Sequence, residues 1–305
     1  MDYETVQRIL EETHDKWGSR FAVISGGEPF MYQDYVNGEK KTLFNIFEDF
    51  DDMFFLVFTN GTLLGGARGK ENVERLAELG NITPAISVEG FREETDRRRS
   101  HNLNWSIYDR IHESFANLRE AGVIFGISVT GTKINLDVMI GERKNEDGED
   151  FYEHFFDREG ASYMWQFQLM PIGRAVDSNL TLSAEERVKL YHKQIELLEK
   201  NERMIADFWN SGILSNGCIA YGRPGGYIYV DWKGNIMPCV FVPYTEDNIY
   251  DLHKQGKGLT EALGSELMRR GRAWQESYGY SDTCLLYTSD AADELDGVDL
   301  GGRRI

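Results

Sequence analysis

Apolar positions along the chain gather into short runs, separated by stretches with a helical period. Residues 21–24 (Phe-Ala-Val-Ile), 54–58, 82–88, 123–129 and 163–170 are such runs. Each is cut off by turn-forming residues: Gly26-Gly27-Glu28-Pro29, Thr59-Asn60-Gly61, Glu89-Gly90, Thr130-Gly131 and Pro171-Ile172-Gly173. Short apolar runs bounded in this way read as buried strands. Between them, residues 41–50, 71–79, 106–121 and 149–156 carry helical patterns, and Val6, Ile9 and Leu10 mark a helix ahead of the first strand. Strands alternating with helices imply parallel βαβ units. Several in succession predict an α/β fold, a partial or full TIM-like (β/α) barrel, with its chemistry at the C-terminal strand ends. The spacing alone also fits a doubly wound sheet.

After residue 180 the pattern changes. Residues 182–209 read as one or two long helices, with Ser183 as N-cap before Glu185 and Glu186. Residues 211–226 are loop-rich and contain Cys218. Residues 227–230 then form a strand, Lys233-Gly234-Asn235 supply a turn, and Ile236-Met237 resume the strand, which is a hairpin signature. From residue 283 no strand or helix period remains; the stretch Leu285-Leu-Tyr-Thr-Ser-Asp-Ala-Ala-Asp-Glu294 resembles translated sequencing-adapter read-through and is set aside, together with Cys284. The expected partition is 1–180, a partial barrel; 181–282, a helical segment and extension; and 283–305, a tail.

With 305 residues the chain can hold one barrel and an appendage. The net charge is −18, of which the tail's five acids and two bases account for −3. That balance disfavours nucleic acid as a partner. No run is long enough to span a bilayer, so no membrane partner is expected. The three cysteines, Cys218, Cys239 and Cys284, are too scattered for a disulfide framework, and the expected compartment is the cytoplasm.

The candidate chemistry begins at Gly26-Gly27-Glu28-Pro29. Two glycines let a ligand approach the main chain, and Glu28 sets a carboxylate beside it. Carbonyls and a carboxylate suit an ammonium group. The segment resembles the Gly-Gly-Glu-Pro motif of the radical SAM superfamily, which holds the amino group of S-adenosylmethionine. Other strand ends are similar to that family in order: Thr59-Asn60-Gly61, Ser87-Val88-Glu89-Gly90, Ser128 within Gly126-Ile127-Ser128, and Met170-Pro171-Ile172-Gly173-Arg174. The resemblance covers roughly residues 1–280. It implies that Gly26, Gly27, Glu28, Pro29, Thr59, Asn60, Ser87, Glu89, Ser128 and Met170 bind S-adenosylmethionine. Ser128 stands where the family often contacts ribose or carboxylate, and Met170 where it lines the adenine.

The family also holds a [4Fe–4S] cluster through a Cys-x-x-x-Cys-x-x-Cys loop after its first strand. That loop should precede the helix of Val6, Ile9 and Leu10, where only Met1-Asp2-Tyr3 stand. The expectation is a chain that begins inside the barrel, is inactive as given, and belongs to an active parent. Cys218, the Gly-rich loop, the hairpin and Pro238-Cys239 resemble the SPASM/twitch extension, in which flanking cysteines ligate an auxiliary Fe–S cluster. The implied function is reductive cleavage of S-adenosylmethionine, fed by an external electron donor, to begin radical modification of a peptide or a small-molecule cofactor precursor. The alternatives are a non-catalytic S-adenosylmethionine-binding scaffold and an unrelated barrel lyase or hydrolase, for which Lys133 is the lysine to consider.

Other features read as structural. Arg92, Arg97, Arg98 and Arg99, mixed with Glu93, Glu94 and Asp96, read as a charged, solvated loop, with a substrate-facing carboxylate or phosphate clamp as the alternative. The six histidines show no metal-ligand spacing, and His112 and His192 read as surface or packing residues. Trp165 and Phe167 are expected to pack the barrel.

Overall fold

Alternation of strand and helix persists through residue 207 in the computed structural model of the chain, which describes residues 1–100, 104–176, 178–201, 203–207 and 218–279. The tail from residue 283, with Cys284, lies outside the described residues, as do residues 208–217. Two compact units emerge: His14–Asp207, and Met1–Thr13 together with Phe208 onward. This division departs from a boundary at residue 180. The start of the first helix, α1 (Tyr3–Trp17), joins the second unit, and residues 181–207 join the first.

In chain order the first unit contains β1 (Phe21–Ile24), β2 (Gln33–Val36), β3 (Glu39–Thr42), α2 (Leu43–Asp49) and β4 (Phe54–Thr59). It continues with α3 (Gly66–Leu79), β5 (Ile82–Val88), α4 (Arg92–Arg99), α5 (Ile107–Glu120) and β6 (Gly126–Gly131). Then come α6 (Leu136–Met139), a π-helical turn (Glu153–Arg158), β7 (Tyr163–Gln168), α7 (Ala184–Asn201) and β8 (Ile205–Asp207). Six strands form one sheet in the order β1-β4-β5-β6-β7-β8, and every pair is parallel. A doubly wound sheet reverses its order at a switch point. This order never reverses, so the sheet is a half-barrel.

Partners across the ladders share a face. Phe55, Val57, Ile86, Ile127, Val129 and Met164 point to one face and are buried. Helix side chains cover it: Phe47 of α2 meets Phe55 with ring centroids 4.9 Å apart. The opposite face carries Phe21, Val23, Phe54 and Phe58, then Ser87, Ser128, Trp165 and Phe167. This inner face is open, for Phe21 and Val23 are each 49% exposed. Phe58 packs edge-on against Trp165 and Phe167, as expected for packing residues. Towards the N-terminal strand ends, Tyr163 closes the layer; a side chain on Gly126 would lie 2.2 Å from its ring. The Tyr163 hydroxyl meets Thr83 Oγ1 at 2.8 Å.

Three local expectations are corrected. The charged stretch after Gly90 is the helix α4, not a loop. The long helix ends at Asn201, and Ile205–Asp207 join the sheet beside Met164–Gln166. β6 runs later than residues 123–129, because Val123 N–H closes the end of α5 on Leu118 O. The β2–β3 hairpin turns on Asn37-Gly38, both with positive φ (52° and 83°), as a tight hairpin loop requires.

In the second unit β9 (Tyr229–Val230), β10 (Asn235–Met237) and β11 (Asp247–Asn248) form an antiparallel sheet. Then follow α8 (Ile249–Lys254), α9 (Leu259–Ala262) and α10 (Glu266–Gly279). Its core is Ile236, Ile249, Leu252, Leu259, Ala262 and Met268, with Met1 and Ile9 packed on it. The buried Glu12 carboxylate accepts hydrogen bonds from Leu259 N–H, Thr260 N–H and Thr260 Oγ1–H, fastening α1 to the start of α9.

Candidate functional site

Because all six strands run parallel, their C-terminal ends share one rim of the half-barrel. The first rim segment follows β1. Gly26 has φ 155°, and a Cβ on Gly26 or Gly27 would meet nothing within 4 Å. Both residues are exposed, so their backbone is open to a ligand. Pro29 is buried and begins a 3-10 turn, Pro29–Met31.

Glu28 ties this turn to the next strand. Its Oε1 accepts from Phe30 N–H (3.1 Å) and Thr59 Oγ1–H (2.8 Å), and its Oε2 accepts from Asn60 N–H (2.8 Å). The Glu28 carboxylate is therefore occupied by protein donors, and what faces outward is the Gly26-Gly27 main chain. Thr59 is buried, and its Oγ1 also accepts from Gly61 N–H at 3.1 Å. Asn60 Oδ1 accepts from Thr62 N–H and Oγ1–H, an Asx-type turn. Gly61 must be glycine: its φ is 76°, and a Cβ would lie 2.8 Å from Ile86 Cγ2.

Ser87 and Ser128 are register partners on the inner face, with hydroxyls 3.2 Å apart. The structure thus brings together Gly26, Gly27, Glu28, Pro29, Thr59 and Asn60 in one group, and Ser87 and Ser128 in another. Met170 lies past the end of β7, half-buried, and no hydrogen bond links it to either group.

Glu89 is placed differently from a free ligand carboxylate. It is buried, and α4 supplies its partners: Arg98 Nη1 donates to Oε2 at 2.5 Å, while Arg99 Nε and Nη2 donate to Oε1 at 3.1 and 2.7 Å. Two arginines of the charged stretch thus hold a carboxylate of the chain itself. A second staple was missed by sequence reasoning. Buried Asn135 donates from Nδ2 to Glu89 O (2.8 Å) and Thr130 O (3.0 Å), joining the rim ends of β5 and β6. Only the Thr132–Asn135 turn spacing could have signalled it, since Asn135 Oδ1 accepts from Thr132 N–H. Lys133 is exposed on the loop that follows β6.

In the second unit Cys239 is buried and Cys218 exposed. The Tyr227 hydroxyl lies 2.8 Å from Cys239 Sγ, and Phe241 N–H donates to the same sulfur at 3.4 Å. Burial, the Cys239 hydrogen bond and the charge of both thiols push the Tyr227 phenol well above its ordinary pKa. Both cysteines therefore sit within electrostatic reach of one ring. The hairpin brings them there: Tyr227 N–H donates to Ile219 O, and Tyr221 N–H to Pro238 O.

The family profile described as the radical SAM superfamily matches residues 1–153. No curated protein matches the sequence. Among solved structures, SuiB of Streptococcus suis bound to S-adenosylmethionine superposes with a TM-score of 0.58 at 16% identity, covering 93% of this chain and 60% of SuiB. Native anSMEcpe with bound AdoMet gives 0.62 at 15% identity, covering 88% of this chain and 73% of that one. The form with AdoMet and the Kp18Cys peptide gives 0.61 at 14% identity, covering 88% and 74%. These likenesses establish the fold, and the chain spans about 60% of the length of SuiB.

Proposed function

The chain belongs to the radical SAM superfamily, and on that premise we propose that it binds S-adenosylmethionine on the C-terminal rim of the half-barrel, as part of an enzyme that modifies a peptide. The observation that carries this reading is the exposed Gly26-Gly27 main chain, held in place by Glu28 across the ends of β1 and β4. Carbonyls of that turn would accept the methionine ammonium, a charge-assisted bond. Glu28 would act by fixing the turn. Ser87 and Ser128 would offer hydroxyls from the inner face to ribose or carboxylate, and Met170 an apolar edge to adenine. Glu89 would serve by holding Arg98 and Arg99 at the rim.

The peptide assignment draws support from similar structures, for SuiB was solved with its precursor peptide SuiA and anSMEcpe with peptides. The open inner face of Phe21, Val23 and Phe54 offers apolar surface of the kind a peptide side chain buries. No helix of the described residues is long and apolar enough to cross a membrane. Cytoplasmic residence and an external electron donor belong to the proposal.

Iron–sulfur groups fit this chain unequally. A [4Fe–4S] cluster, the electron source the family implies, finds no thiolates on the sheet, because Cys218, Cys239 and Cys284 all lie outside His14–Asp207. Cys218 and Cys239 fit part of a ligand set in a SPASM/twitch-like extension: they flank the hairpin, with Cys239 Sγ against the Tyr227 hydroxyl and Cys218 exposed. Thiolate-bound clusters of that kind supply one-electron transfer when present. Their protein surroundings here would be the Phe241 N–H and the Tyr227 hydroxyl, both placed to hydrogen-bond sulfur.

Equilibrium dialysis with labelled S-adenosylmethionine tests the proposal. Saturable uptake, displaced by S-adenosylhomocysteine and weakened severalfold by Ser128→Ala, is expected. Uptake that does not saturate, or that ignores competitor and substitution alike, would contradict it.

A further inference from the structure

His112 and His154 are 42 positions apart and show no ligand spacing in sequence, yet the fold sets them side by side, with ring centroids 5.2 Å apart. His112 comes from α5. His154 and Glu159 come from the π-helical turn and its C-terminal end. Five residues on an α-helix turn about 140° away from the starting face. Here Glu159 N–H bonds to His154 O, an i→i+5 closure, and that wider turn brings both side chains to the same side. Such π turns are uncommon and are found often at functional sites.

We infer that His112, His154 and Glu159 form a binding site for a divalent transition-metal cation, with Zn2+ the best match. One ligand atom from each residue lies within 4.8 Å of the other two. Two imidazoles and a carboxylate suit zinc, and a three-residue set leaves one position for water. Tetrahedral bonds of about 2.0–2.1 Å would draw these atoms in to about 3.4 Å of one another, a movement of side chains rather than backbone.

The surroundings resemble a prepared ligand shell. His154 Nδ1 is held by Glu149 Oε2 at 3.0 Å, and metal-bound histidines ordinarily have their second nitrogen held in this way. Among the described residues His154 Nε2 meets the Tyr108 hydroxyl alone, at 3.0 Å, which a cation can displace. His112 Nδ1 shares a proton with Glu159 Oε1 at 2.8 Å. Its Nε2 is sealed from solvent without a hydrogen-bond partner among the described residues. The His112 ring is therefore fastened on one side only. Binding a cation through Nδ1 takes the tautomer that carries the ring proton on Nε2, at the loss of the hydrogen bond to Glu159.

Arg119 Nη1 occupies Glu159 Oε2 at 2.7 Å, which leaves Oε1 for the cation. The three residues lie between α5 and the π turn, on the helix side of the sheet, away from the open inner face.

Metal content of the whole chain, after dialysis against chelator and then Zn2+, tests the site. Because Cys218, Cys239 and Cys284 can also take zinc, the comparison uses the variant with serine at all three. That variant should retain about one Zn2+ per chain, and adding His112→Gln should lower its affinity at least tenfold while circular dichroism stays unchanged. On the unmutated chain, Co2+ gives a second readout independent of folding in any variant. Weak visible bands persisting after thiol alkylation indicate nitrogen and oxygen ligands. Zinc lost with the cysteines, zinc unaffected by His112→Gln, or a cobalt spectrum abolished by alkylation would each overturn the assignment.

Discussion

Replacing Glu28 by Gln probes the turn on which the proposed ligand site depends. The carboxylate accepts three donors: Phe30 N–H and Thr59 Oγ1–H on one oxygen, Asn60 N–H on the other. Glutamine has one acceptor oxygen and one NH2 group. If its oxygen faces Phe30 and Thr59, the NH2 group opposes Asn60 N–H. If it faces Asn60, the NH2 group opposes Phe30 N–H, although the Thr59 hydroxyl can turn and accept. Either way every donor loses a charged acceptor and one backbone N–H is left facing an NH2 group, at about 1.5–3 kcal/mol. The site is half-buried, so water can recover part of that, and we expect a net loss of about 1.5 kcal/mol. Ala removes all three acceptor contacts and should cost on the order of 3 kcal/mol, less than a simple sum because the contacts are coupled. Urea unfolding measures the loss, and hydrogen exchange at the Asn60 amide localises it. The Gln variant should also bind S-adenosylmethionine about tenfold more weakly, a loss of about 1.4 kcal/mol, while binding adenosine unchanged. An unchanged urea midpoint with full Asn60 protection would refute the staple. Equal weakening for adenosine would refute its link to the ammonium site.

Three further outcomes follow from the structure. Burial pushes the Tyr163 phenol up to about 12, so the folded state keeps its proton longer than the unfolded chain; this stabilisation is complete below about pH 10 and disappears as pH rises towards 12. Tyr163→Phe should flatten that alkaline loss of stability, and an identical alkaline limb would contradict the assignment. Because no cysteine lies on the sheet, anaerobic reconstitution with iron and sulfide followed by dithionite should release no 5′-deoxyadenosine from this 305-residue chain; catalytic release would refute that expectation. Serine at Cys218 and Cys239 together should abolish iron uptake into the second unit, whereas unchanged iron content would mark both as packing cysteines.

Much of the sheet was legible in the sequence. Residues 82–88 form a strand at the expected bounds, and β1 likewise, because a largely apolar run that reaches a glycine two residues past its end leaves little choice. Helix α4 was hidden because Arg-Glu-Glu-Thr-Asp-Arg-Arg-Arg has no apolar stripe; it is fixed by Phe91 N–H bonding Glu94 and by Glu89 drawing in Arg98 and Arg99. The same ion pairs are not legible in the sequence around Glu89, because its partners reach it only once the helix forms. Strand β8 is hidden at the end of a helical stretch because three residues are too few to show a period. The destination of Met1 and Ile9 was likewise invisible, since an amphipathic pattern shows that a face is buried and not which core buries it. The Gly26-Gly27-Glu28-Pro29 turn was found because its residues are contiguous; the histidine pair was missed because its members come together only in three dimensions.

Amide chemical-shift mapping of the isotope-labelled chain during titration with S-adenosylmethionine tests the central claim most directly. The account predicts saturable shifts at Gly26, Gly27, Asn60 and Gly61 on the rim and at Ser87 and Ser128 on the inner face, with adenosine moving a subset that omits Gly26 and Gly27. No saturable shift at the Gly26-Gly27 turn, or shifts confined to the unit that contains Cys218 and Cys239, would contradict it.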